Sequence, residues 1–180
     1  MGVAMVTSAN NLGPALGKAS GVVFIHSAPK AMSTHIEWSL GRILGAAVHL
    51  DWLDQPVAPG TVRSELSWAG YPELSTEIAS TLRAYPNLRF EITEEPSAGF
   101  DGQRIVSTPT LGIWRSPMGV YGDVLIPEDK LRSAISGALN SGNSILEVIE
   151  TVLGTPWDRE LEPFRFAGEG VPVRWLHQVS

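Results

Sequence analysis

The chain has 180 residues, enough for one well-buried core and short for two. Its net charge of −6 argues against nucleic acid or an anionic membrane as the main partner, because both demand a basic surface. The absence of cysteine excludes disulfides, thiolate catalysis and Cys-ligated zinc or iron–sulfur sites, and a reducing compartment is its simplest home.

Residues 1–20 have neither a basic start nor a sustained apolar run, and Asn10, Asn11, Gly13 and Pro14 interrupt them. They read as a disordered leader of a cytoplasmic protein. A domain is expected over 21–154. Its first strand, Gly21 to His26, is apolar on both faces, as a strand in the middle of a sheet is. A helix is predicted from about Thr34 to Ala47, with Ile36, Leu40, Ile43 and Leu44 inward and Thr34 and Glu37 at capping-box spacing. Alternation then predicts a strand over Val48–Trp52 and another with Val62, Leu66 and Trp68 inward. A helix opens after Pro72 with the stripe Leu74, Ile78 and Leu82, and Pro86 stops it. The next strand points Leu88, Phe90 and Ile92 inward and Arg89, Glu91 and Thr93 outward, onto a face that is either solvated or a docking surface.

Two further strands, Gln103–Trp114 and Val120–Ile126, are expected around a turn at Pro117–Gly119. Helices follow from Pro127 through Leu139 and from Ser144 to Leu153, the second with a capping box at Ser144 and Glu147 and a stop at Gly154. This rhythm predicts an α+β fold, a ferredoxin-like split βαβ antiparallel sandwich with an added hairpin and C-terminal helices. The tail 155–180 has no convincing period. It carries Trp157, Phe164, Phe166 and Trp175 among charges, so it must pack on the domain or on a partner.

No motif carries a complete chemistry. Ser27-Ala-Pro-Lys30 has Ser-x-x-Lys spacing, but Pro29 disfavours the helical turn that would bring the pair together. His35-Ile-Glu37 lacks the cysteine half of a zinc deaminase site. His26, His35, His49 and His177 lack tight ligand spacing, so no metal is assigned. Glu94, Glu95 and Asp101 read as a solvated acidic loop. Gly168-Glu-Gly170 lacks the flanking strand and helix of a phosphate loop, and no dinucleotide fingerprint occurs, so no cofactor is expected.

Gly21 to Ser27 with His35-Ile-Glu-Trp38, Phe90-Glu-Ile-Thr-Glu-Glu-Pro96, Gly154-Thr-Pro-Trp-Asp158, Leu161-Glu-Pro-Phe-Arg165 and Arg174-Trp-Leu-His177 resemble an actinobacterial family known only as a domain of unknown function. The likeness spans Gly21 to Ser180. It implies an accessory or regulatory role in acyl-chain or malonyl-thioester supply, since members lie near genes of fatty-acid synthesis, and it transfers no catalytic residue.

The leading expectation is therefore a non-catalytic protein that binds an enzyme of acyl-CoA or fatty-acid metabolism, an acyl-CoA carboxylase first. Trp157, Phe164, Arg165, Arg174 and Trp175 are its candidate protein-binding residues, because aromatic residues and Arg dominate interface hot spots. The alternative is a small ligand binder or enzyme with His26, Lys30, His35 and Glu37 around one pocket at the exit of the first strand. A third reading is a structural protein that assembles through a sheet edge or face.

Overall fold

The computed structural model describes residues 4–7 and 18–166. They form an open, mostly antiparallel seven-stranded sheet with five helices. The strands are β1 (Ala4–Thr7), β2 (Ala19–Pro29), β3 (Leu53–Asp54), β4 (Thr61–Gly70), β5 (Arg89–Glu94), β6 (Gly102–Thr108) and β7 (Gly112–Met118). The helices are α1 (Ser33–Leu44), α2 (Leu74–Leu82), α3 (Glu128–Ser141), α4 (Ile145–Leu153) and α5 (Thr155–Phe166). Sheet order is β1-β4-β2-β5-β6-β7, with the short β3 also pairing β4, and only the β1–β4 pair is parallel.

Period-two alternation gives the sheet two different faces. Val23 and Ile25 of β2, Leu66 and Trp68 of β4, and Phe90 and Ile92 of β5 are buried in one core with Ile36, Leu40 and Leu44 of α1 and Leu74, Ile78 and Leu82 of α2. These are the residues that the helical and strand stripes assign to the inside. On the opposite face Val106 and Trp114 form a smaller cluster with Leu161 of α5. Gly21 sits where β2 passes between Trp68 and Glu94, and a Cβ there would lie 2.0 Å from the Thr93 carbonyl oxygen and 2.6 Å from the Trp68 ring. Only a hydrogen fits.

Several expectations are corrected. Residues Val48–Trp52 form no strand; the Leu50 N–H and the Trp52 indole N–H both donate to Glu37 Oε1, at 2.9 and 3.0 Å, so a carboxylate holds this segment. Glu37 is accordingly not part of a capping box, and neither α1 nor α4 has a side-chain cap bond at its N-cap. The hairpin turns at Pro109–Leu111, while Pro117 lies inside β7. An edge strand tolerates proline. The expected strand over Val120–Ile126 is a loop tied back by Leu125 N–H to the Pro117 carbonyl. Finally, Thr155–Phe166 is a helix, with Pro163 inside it. No described helix is long and apolar enough to cross a membrane.

Candidate functional site

The most concentrated chemistry lies on the sheet face beneath α5. Arg104 and Glu91 stand on β6 and β5 one step off a direct pair, since Glu91 opposes Val106 and Thr93 opposes Arg104. Arg104 donates from Nε to Glu91 Oε1 at 2.6 Å and from Nη2 to Asp158 Oδ1 at 2.5 Å. Arg165 Nη2 donates to Glu91 Oε2 at 2.9 Å and to Asp158 Oδ1 at 2.8 Å. His26 Nε2 lies 3.4 Å from Glu91 Oε2. Asp158, Leu161 and Arg165 are spaced i, i+3, i+7, so one face of α5 lays two charges and one leucine on the sheet.

Glu91 is fully buried. Burial alone raises its pKa, but the His26 hydrogen bond and the Arg104 and Arg165 guanidinium groups outweigh that and hold it at about 2. For Arg104 burial works against the charge, and Glu91 and Asp158 raise the pKa further above its already high value. Two carboxylates and two guanidinium groups thus balance one another's charge in a clamp that closes α5 over the sheet. Beside it a second row runs the same way: Glu160 accepts from Arg89 Nε at 3.2 Å and from the Thr108 hydroxyl at 2.8 Å, and Arg89 stacks on the Phe164 ring at 4.7 Å.

Of the candidate protein-binding residues, Trp157, Phe164 and Arg165 therefore engage their own sheet. The Trp157 indole N–H donates to the Gly112 carbonyl at 2.9 Å, and its ring lies 6.5 Å from that of Trp114. Phe164 is under Arg89, and the Arg165 side chain is only 8 % exposed. Arg174 and Trp175 lie outside the described residues.

The four residues expected at one ligand pocket have separate surroundings. His26 belongs to the clamp; Lys30 is exposed and pairs Asp54 at 3.7 Å. His35 is exposed and meets the Trp38 ring edge-on at 5.6 Å. Glu37 holds Leu50 and Trp52. No hydrogen bond or ion pair joins any two of them. Glu94, expected in an acidic loop, is buried and accepts the backbone N–H groups of Glu73 at 2.6 Å and Ser75 at 3.1 Å, together with the Ser75 hydroxyl. It caps α2 from the sheet. Among the described residues no three His, Asp or Glu side chains group as a metal site.

Sequence reasoning missed the surface features. Leu139 of α3 and Ile145, Leu146 and Leu153 of α4 are 66, 41, 68 and 45 % exposed. The loop leading into that helix pair adds Val120 and Tyr121, 75 and 86 % exposed. Their stripes were legible, but nothing in a stripe says whether the chain itself covers it. A hollow of about 350 Å³ also opens beside α2, lined in part by Arg83, Tyr85 and Ser107, and one of about 240 Å³ continues past Arg83 to Arg115.

A family model described as "Protein of unknown function (DUF3145)" matches residues 22–178. No curated protein and no solved structure matches the chain.

Proposed function

The chain belongs to this family of proteins of unknown function, and from that premise we propose that it is a non-catalytic accessory protein of the cytoplasm that binds an enzyme of acyl-CoA or fatty-acid metabolism, with an acyl-CoA carboxylase as the first candidate. One observation carries the reading: the α3–α4 pair holds four large aliphatic side chains, Leu139, Ile145, Leu146 and Leu153, at the surface. Large aliphatic side chains left at the surface of one helix pair supply the apolar area that a protein-interaction site uses. The resemblance to an actinobacterial family encoded near fatty-acid synthesis genes supplies the choice of partner. The engagement of Trp157, Phe164 and Arg165 within the chain moves the proposed surface from α5 to α3 and α4. We read β2-α1-β3-β4-α2-β5 as a ferredoxin-like split βαβ core, a reading that the neighbour order β5-β2-β4-β3 supports.

The test is purification of a tagged copy from its own cells, with and without the pair Leu146→Glu and Leu153→Glu. A carboxylase subunit in stoichiometric amount that disappears with the variant is the expected result. Recovery of that subunit with the variant, or no stoichiometric partner with the natural chain, would overturn the proposal.

A further inference from the structure

We propose that the shelf beside α2, over β7, is a docking site for an acidic amphipathic helix of a partner protein. The helical layer on the α1–α2 face is one helix short of the sheet. α2 packs on β5 and β6, and on that face no described helix covers β7. Neighbouring helices lie about 8 to 10 Å apart, and two strand spacings span about 10 Å, so a third helix beside α2 would sit over β7.

The shelf has the chemistry of such a seat. Ile113 of β7, 38 % exposed, forms its floor, and the core residue Ile105 of β6, 1 % exposed, closes its inner end. Thr76, Ser80 and Arg83 line the α2 wall at i, i+4 and i+7, which is one straight face of that helix. Thr76 and Ser80 are short enough to let a neighbouring backbone approach. Arg83 and Arg115 stand at the wall and at the rim, both exposed, and neither has an acidic partner among the described residues. Lys130 adds a third cation at the rim, with Nζ 3.5 Å from the Arg115 carbonyl oxygen. In a chain with 19 acidic and 13 basic residues, a shelf carrying only positive charge selects its occupant by sign.

An extended strand is a poorer occupant. The outward carbonyl groups of β7 at Arg115 and Pro117 are taken by Lys130 and by the Leu125 N–H, and Pro117 has no N–H to offer. A helix needs none of these groups. It would place an apolar i, i+3, i+4, i+7 stripe on Ile113 between the Thr76–Ser80 wall and the rim, and flanking carboxylates on Arg83 and Arg115. This surface includes none of Leu139, Ile145, Leu146 and Leu153, so peptide binding here can succeed or fail whatever the purification above finds.

The probe is a synthetic helical peptide of about 14 residues, roughly four turns, with a Leu/Ile stripe flanked by Glu, beside a control with Lys at every Glu position. Backbone amide shifts of the full-length protein and fluorescence anisotropy of the labelled peptides give site and affinity. The acidic peptide should shift the amides of Ser80, Arg83, Ile113 and Arg115. The pair Arg83→Glu and Arg115→Glu should weaken it by about tenfold or more and let the Lys peptide bind instead. Both substituted side chains are exposed, and an unchanged circular dichroism spectrum establishes that the variant is folded. Absence of shifts at these amides at about 1 mM peptide, or equal affinities for the natural chain and the variant, would overturn the proposal. So would concentration-dependent shifts of the same amides without peptide, which would make a second copy the occupant, or cross-relaxation from Ile113 to residues 167–180, which would make it the chain's own tail.

Discussion

Arg104 Nε donates to Glu91 Oε1 at 2.6 Å along a diagonal between β5 and β6, and the same guanidinium reaches Asp158 on α5. One arginine therefore ties two strands and a helix together at a buried point. Removing one partner of a buried pair leaves the other charge without compensation, which costs about 3 to 5 kcal/mol. Glu91→Ala should lower the unfolding free energy by that amount at pH 7, measured by urea denaturation. A loss below about 1 kcal/mol would mean that water replaces the carboxylate and that α5 is not held by it.

The same carboxylate makes stability depend on acidity. Its pKa is about 2 in the fold against an ordinary 4.5, so the folded state binds the proton less tightly than the unfolded one. The stabilisation from this group is complete above about 4.5, declines as pH falls and is gone below about 2. Denaturation midpoints of the natural chain should therefore drop across this window. Those of Glu91→Gln, which cannot ionise, should start lower and drop less, and parallel curves for the two proteins would contradict the assignment.

Glu94 caps α2 from the end of β5 through two backbone N–H groups and the Ser75 hydroxyl. Glu73, the residue before the helix, has a φ of 69°, so the chain enters α2 through a left-handed residue that this carboxylate holds in place. Glu94→Ala leaves those donors unsatisfied and should cost about 1 to 3 kcal/mol. Amide exchange at Glu73 and Ser75 should rise more than at Ile78, which keeps its place in the core.

The strands β2, β4 and β5 and the helix α2 were legible because their apolar residues recur at the period of the element that buries them. α5 was not, for a physical reason. It docks on a sheet face built from Glu91, Arg104 and Thr108, so its matching residues Asp158, Glu160 and Arg165 are polar, and a hydrophobic period has little to register beyond Leu161. Arg89, Glu91 and Thr93 alternate as a solvated or docking face does, and the element that docks there is the chain's own helix. Over Val48–Trp52 the alternation was genuine but the backbone hydrogen bond went to Glu37, which a strand pattern cannot reveal.

The core stripe of α1 makes a direct test of the packing on the other face. Leu40 is fully buried between α1 and the sheet. Leu40→Ala should destabilise by about 2 to 5 kcal/mol, the upper part of the range if the neighbours cannot close the cavity. Thermal or urea unfolding checks it. A cost well under 1 kcal/mol would mean that the helix rolls to present another face.

Gly21 gives the sharpest test of the sheet itself. A Cβ at this position meets two different obstacles: the Trp68 ring at 2.6 Å, which is a side chain, and the Thr93 carbonyl oxygen at 2.0 Å, which is backbone of the neighbouring strand. Gly21→Ala should therefore cost about 3 kcal/mol or more, because β2 and β5 must separate to admit the methyl group. Trimming the ring relieves only the first obstacle. The double variant Gly21→Ala with Trp68→Leu should consequently remain at least as unstable as Gly21→Ala alone, losing the buried indole without regaining the ladder. Recovery of stability in the double variant would place the conflict at Trp68 and show that β2 and β5 have room to move apart at their crossing.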